Sequence, residues 1–263
     1  MNAQADVLVP RRSLSRILAL EARCELLKMV RLPAYALPTL CFPLVFYLLF
    51  GVAMAKPSAQ LDMARYLLAT YGVFGVVGAA LFGFGIGVAV ERGQGWMLFK
   101  RATPMPPVAW MLGRLAACLV FGAVLVALLF LLGATAGKVA LPAGTWLSLA
   151  GVLIVGMVPF GAFGLALGYL TGPNSAPAVV NLLYIPMAFA SGLWIPLDYL
   201  PRVFQHIAPW LPTYHFGQLA LGVVGMGRGE PVWQGIAALA AFTAVSLLLS
   251  WVGYRRDEGK TVG

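Results

Sequence analysis

Apolar residues crowd into six long stretches, at about 33–55, 66–90, 109–133, 145–170, 176–196 and 232–253, with polar and charged positions between them. Each stretch covers the roughly 20 residues that a helix needs to cross a ~30 Å hydrocarbon core. Helix is the state this predicts, because an isolated strand cannot satisfy its backbone groups in lipid. The pattern divides the chain into an N-terminal segment (1–32), a six-span membrane domain (33–253) and a short tail (254–263). The expected fold class is an all-α membrane protein.

Two segments break the simple alternation. Residues 11–31 place Leu14, Leu18, Ala22, Leu26 and Met29 on one helical face, with Arg12, Arg16 and Arg23 roughly opposite. This is the pattern of an amphipathic helix lying along a membrane surface. Glu25 interrupts its apolar stripe, and Leu20 and Leu27 fall outside it. The helix reads equally as a basic anchor for the first span or as a contact for a partner. Residues 197–228 are apolar but contain Pro201, Pro209, Pro212, His206, His215 and Gln218. As a seventh span they are poor. As a re-entrant or interfacial helical hairpin covered by other helices they are reasonable.

Charge then orients the chain. Thirteen of the 18 basic residues fall on one side if six spans are counted and the N-terminus is cytoplasmic. That is the bias expected of the inside face, and a seventh span would throw Arg255 and Arg256 outward. Both termini are therefore expected in the cytoplasm. No cleavable leader is read in the first thirty residues, so the first span would serve as the targeting signal.

Composition excludes other classes. The chain is 61% hydrophobic and 10% charged, with a mean hydropathy of +0.87, outside the range of soluble domains. The net charge of +9 sits at span ends and forms no basic patch with interleaved aromatics, which argues against nucleic acid. There is no GxxxxGK[ST], HExxH or GxSxG motif. No span carries an ionisable residue near its centre. Arg114, one turn into the third span, is expected to snorkel to the cytoplasmic face. Without a buried proton relay, the energy for any transport must come from elsewhere. His206, His215 and Asp198 are weak candidates for a metal or lipid-hydrolysing site.

The charged island at 91–107 between the second and third spans is the most informative stretch. Burying Glu91, Arg92, Lys100 and Arg101 mid-bilayer at roughly 3 kcal/mol each would cost about 12 kcal/mol, so the island must lie at a membrane face. It is either a bare connector or a docking surface. Within the spans, Gly75, Ala79, Gly83 and Gly87 recur every four residues, and Gly164 and Gly168 repeat the theme. Such ladders allow close helix approach, either within the chain or against a second copy. Asn181 either lines a route or bonds a neighbouring helix. Ser191, Gly192 and Pro196 end the fifth apolar run, with Asp198 beyond it.

ERGQGW…KRATPMP at the island, together with SGLWIPLDYLP…IAPWLPTYHF before the last span, resembles type-2 ATP-binding-cassette (ABC) exporter permeases. The closest branch is that of drug- and antibiotic-resistance permeases. The likeness covers essentially the whole chain. It implies a half-transporter that dimerises, as a homo- or heterodimer, and pairs with a separate cytoplasmic ATPase subunit. ATP and Mg would be bound by that partner, with no cofactor or metal in this chain. It further implies that Glu91, Arg92, Gly93, Gly95, Lys100 and Arg101 form a coupling surface, with Arg16, Glu21, Arg23 and Glu25 as a second contact. The expected cargo is apolar or amphipathic (a drug, lipid or lipid-linked molecule), carried across a bacterial-type inner membrane. The rival readings are a membrane enzyme acting on lipid at the outer face and a non-transporting scaffold.

Overall fold

Leu32 and Pro33 decide where the first long helix begins. Proline lacks an N–H and disfavours helical backbone in the residue before it, and Leu32 is extended there (φ −99°, ψ 92°). A computed structural model describes residues 14–54, 60–96 and 107–258. Lys100 and Arg101 lie outside the described residues.

Helix α1 runs over Leu14–Arg31, and α2 over Pro33–Phe46, where it widens into a π-helical stretch at Tyr47–Ala53. Helix α3 (Gln60–Ala80) continues through a second π-helical stretch, Leu81–Ile86, into α4 (Gly87–Gly93). Then come α5 (Pro107–Thr135), α6 (Ala143–Val155), α7 (Met157–Leu170) and α8 (Ala176–Ala190). Two short helices follow, α9 (Arg202–Ile207) and α10 (Pro212–Val223), before α11 (Val232–Glu258). No strand occurs among the described residues.

Among the described residues, five helical segments are long and apolar enough to cross a membrane: Pro33–Ala53, Asp62–Gly93, Ala109–Thr135, Ala143–Leu170 and Val232–Asp257. The expected fifth span is shorter than its apolar run. Helix α8 has 15 residues, about 22 Å, and ends where Gly192 adopts φ +77°. Glycine tolerates that left-handed backbone, which other residues take up only under strain. The fourth apolar run is one continuous path in two helices, α6 and α7, bent at Gly156 where the ring of Phe216 presses against the backbone.

The core is built around α3. Every residue from 71 to 80 is buried, and α2, α5, α7 and α10 pack around it. Tyr184 of α8 enters this core, stacks on Phe74 at 4.9 Å and donates its hydroxyl to the Phe74 carbonyl at 2.6 Å. Tyr184→Phe should cost about 1 kcal/mol by removing one buried hydrogen bond, readable as a small downward shift in detergent-solubilised thermal unfolding. Between α8 and α11, Leu197, Leu200, Ala208 and Tyr214 bury one another in a satellite cluster. Helix α10 packs on α3, α6 and α11, with Phe216 stacked against Phe160 at 5.7 Å.

Candidate functional site

The segment Asp62–Gly93 has 32 residues and is about 48 Å long, well beyond the hydrocarbon thickness. Its charged end, Glu91-Arg92, therefore projects past the apolar part of the bundle. Two ion networks gather there.

In the first, Arg114 of α5 is central. Its Nε donates to Glu25 Oε2 at 3.1 Å, and its Nη2 reaches Glu25 Oε2 at 3.0 Å and Glu91 Oε1 at 2.7 Å. Lys28 Nζ closes the cluster, donating to Glu25 Oε1 at 2.7 Å and Glu91 Oε1 at 3.1 Å. The Arg114 guanidinium also lies over the Trp110 ring at 5.2 Å. Glu25 is 1% exposed and Arg114 3%. The two most buried members, Glu25 and Arg114, thus face each other, while Glu91 is partly and Lys28 half exposed; pairing of this kind is the condition under which buried charge is tolerable. Burial alone would lower the Lys28 pKa, but its hydrogen bond to Glu25 and the charges of Glu91 and Glu25 prevail and raise it above 10.5. A raised cation stabilises the fold at every pH below its unfolded value and loses that contribution only as pH climbs through the folded one. Lys28 therefore keeps its contribution to the cluster through the neutral range.

In the second network, Arg92 grips Asp257 near the end of α11, with Nη2–Oδ1 at 2.5 Å and Nε–Oδ2 at 3.2 Å. Its Nη1 donates to the carbonyls of Gly168 at 2.7 Å and Tyr169 at 3.0 Å. Those carbonyls belong to the last turn of α7, which has no intrahelical donors and carries the negative end of the helix dipole. Arg92 thus caps α7 and ties it to α11. Just beyond, a side chain at Gly93 would put its Cβ 2.5 Å from Pro173, so only glycine fits; Gly95 turns the chain at φ +76°.

The expected coupling residues accordingly separate into kinds. Glu25, Glu91 and Arg92 are engaged inside the chain. Glu21 lies along α5, where a Cβ at Gly113 would come within 2.7 Å of its Cγ. Arg16 and Arg23 are exposed, and Trp96, past the turn, is 54% exposed. Arg114 does not snorkel as expected, because two carboxylates hold it in place. Lys28 and Arg114 are the participants that sequence reasoning passed over. The signal was Glu25, a carboxylate in an apolar stripe that needed a buried cation.

The small-residue ladders pack within the chain. Gly164 faces Phe84 and the Ala80 carbonyl, and Gly168 faces Val88 with the Gly85 and Phe84 carbonyls at 3.1 Å. Gly75 meets Leu125 and Pro43, Gly83 meets Cys118 and Met29, Gly87 lies against the Arg114 guanidinium, and Ala79 is buried.

Asn181 donates from Nδ2 to the Pro177 carbonyl of its own helix at 2.9 Å rather than to a neighbouring helix. It does line a cavity of about 140 Å³ between α2, α3 and α8, with Pro38, Phe42, Phe74, Tyr184 and Trp194. At the far end of α8, Ser191 and Thr213 hydroxyls share a hydrogen bond at 2.5 Å, and Tyr66 donates to the Gly192 carbonyl at 2.6 Å. Pro196 starts the turn Leu197–Tyr199, and Asp198 is paired with Arg228. His206 bonds the Arg202 carbonyl and His215 the Pro209 carbonyl, so the three residues of the hydrolytic reading are engaged separately. Among the described residues no cluster of three metal-ligating side chains occurs.

Residues 52–252 match the model of a family described as ABC-2 family transporter protein. The chain is also 31% identical over 244 residues, 92% of its own length and 98% of the relative's, to "Putative transport permease YvfS" of Bacillus subtilis (strain 168). The permease family rules against the lipid-enzyme reading. The chain belongs to the ABC-2 transporter family and is a multi-pass membrane permease subunit of an ABC transporter, a family whose permeases work with an ABC ATPase.

Proposed function

We propose that the chain is the membrane half of an ATP-driven exporter that works as a pair of copies with a separate cytoplasmic ATPase, moving an apolar or amphipathic molecule. In this reading α8 completes six spans, α1 lies on the cytoplasmic surface of a bacterial-type inner membrane, and both termini are cytoplasmic. Residues 197–228 re-enter the outer face and do not cross. ATP and Mg reside in the partner. The cavity lined by Asn181 and Trp194 offers apolar walls and no charge, in keeping with such cargo.

One observation carries the proposal. The buried Glu25–Arg114–Glu91–Lys28 cluster fastens α1 to the end of α4 and the beginning of α5. A push on α1 from outside the membrane is then transmitted to two spans at once. The contact itself would use Arg16 and Arg23, which are exposed, together with Gly93 and Gly95; Lys100 and Arg101, outside the described residues, complete the proposed surface.

Arg16→Glu combined with Arg23→Glu tests this without touching the buried cluster. Co-purification with the ATPase and transport in vesicles should both be lost, while the unfolding temperature of the permease stays unchanged. Undiminished ATPase recruitment by this double variant would refute the assignment of α1.

A further inference from the structure

Two helix pairs flank α3 and α4 and hardly meet each other. Helix α1 packs along α5, and α7 packs along α11. Between them, α3 rests on α5 while the π-helical stretch Leu81–Ile86 rests on α7. At the tip of this shared spine two consecutive residues, pointing about 100° apart on the helix, turn to opposite pairs. Glu91 accepts from Arg114 of α5 at 2.7 Å and from Lys28 of α1 at 3.1 Å. Arg92 holds Asp257 of α11 and the Gly168 and Tyr169 carbonyls of α7.

We propose that Arg92 and Asp257 form a latch that opens and recloses in each transport cycle, while Glu91 keeps α4 with α1 and α5. This rests on the coupling reading above, in which the ATPase moves α1. A displaced α1 draws Glu25 and Lys28 with it, and through them the start of α5 and the tip of α4. Helices α7 and α11 stay behind only if one of the two ion networks parts. Burial decides which. The Glu25 and Arg114 side chains are 1% and 4% exposed, so separating them strands charge where water cannot answer it. The Arg92 and Asp257 side chains are 18% and 23% exposed, and a pair at the solvent edge exchanges its partner for water at far lower cost.

The spine is built to bend just above the latch. A π-helical stretch inside an α-helix is a place where helices kink and where function concentrates. This one contains Gly83 and Gly85, with Gly87 next, and each glycine weakens the helix further. Helix α7 grips the pivot itself, since Gly164 lies against the Ala80 carbonyl and Phe84, and Gly168 against Gly85 and Val88. Only the turn beyond Val88 is left to swing. Gly93 at its end lies against Pro173 with no side chain to interlock.

Two measurements test the latch, the first without the ATPase. In the detergent-purified chain, hydrogen–deuterium exchange read by mass spectrometry compares wild type, Asp257→Asn and Asp257→Glu. Exchange over α4 and the last turn of α7 should be about tenfold faster in Asp257→Asn, the worth of one hydrogen bond between charged groups. Helix α1 and the start of α5 should be unchanged, and Asp257→Glu, which keeps the charge, should exchange as wild type. No acceleration in Asp257→Asn would mean that the pair holds nothing. Acceleration that spreads into α1 and α5 would mean that the two helix pairs move as one. Either result overturns the proposal. The second measurement uses the complex with the ATPase in lipid nanodiscs, with Arg92→Cys and Asp257→Cys joined by a reducible bifunctional thiol reagent. The exposed Cys24 and Cys41 are replaced by serine. The linked complex should lose most of its ATP hydrolysis and regain it on reduction, an effect that a merely structural contact would not produce. Undiminished hydrolysis in the linked form would overturn the latch. A wild-type chain that recruits no ATPase would instead refute the coupling reading, and the exchange measurement would still judge whether Arg92 and Asp257 hold α4 to α7 and α11 separately from α1 and α5.

Discussion

Arg114→Ala should lower the stability of the solubilised permease by about 3–5 kcal/mol, the cost of removing one partner from a buried ion cluster. The loss is large because Glu25 cannot escape to water. It is 1% exposed and held between α1 and α5, so loss of the guanidinium leaves a buried carboxylate stripped of two of its contacts. Thermal unfolding of the detergent-purified chain, followed by tryptophan fluorescence or circular dichroism, measures the effect. Arg114→Lys should be intermediate, since an ammonium keeps the charge but cannot present Nε and Nη2 to two carboxylates at once. Combining Arg114→Gln with Glu25→Gln should recover part of the loss, because the uncompensated charge goes with its partner. A change under about 1 kcal/mol in Arg114→Ala would put the cluster in the class of solvent-exposed pairs and remove the mechanical link between α1 and the spans.

Gly168→Leu should be comparably damaging, by about 3 kcal/mol or more, through overpacking that the neighbours cannot relieve. A Cβ at Gly168 would come within 2.8 Å of the Val88 Cβ and 3.1 Å of two backbone carbonyls. Backbone does not rotate away as a long side chain can. Moving α7 aside would also withdraw the Gly168 and Tyr169 carbonyls from Arg92, so one substitution strains a helix contact and a cap together. Gly151→Leu is the matched control: it sits in α6 with no atom within 4 Å of its Cβ position. It should be neutral or stabilising by up to about 1 kcal/mol, as expected when glycine leaves a helix. Equal unfolding temperatures for the two variants would mean that α7 is not packed through Gly168 against α4 and the π-helical stretch before it.

The contrast between these glycines shows how legibility varied along the chain. Spacing picked out Gly164 and Gly168 as contact residues, because a repeat of small side chains on one helical face has few other uses. It did not say which surface they meet, since a neighbouring helix and a second copy require the same pattern. The spans were legible for a similar reason: a helix in lipid must be long and apolar, and little else survives there. The fifth was overestimated because hydropathy counts residues 191–196 as membrane length, whereas Gly192 turns the chain after Ala190. Charges were the least legible element. Arg114 beside a span end has the pattern of a snorkelling residue, and only the approach of α1 turns it into the centre of a buried cluster. Glu25 was the one visible clue, as a flaw in an otherwise apolar stripe.

By itself the sequence determined that this is a helical membrane protein, where its long helices lie, and that its charges gather at their ends. Each of these follows from the free energy of single residues in lipid, which depends on local composition alone. The tertiary structure decided which charges meet. Glu25, Lys28, Glu91 and Arg114 are spread over 90 positions, and so are Arg92, Gly168 and Asp257 over 166. Their pairing is a property of helix packing, set by where α1 docks and where glycine lets α7 and α3 close.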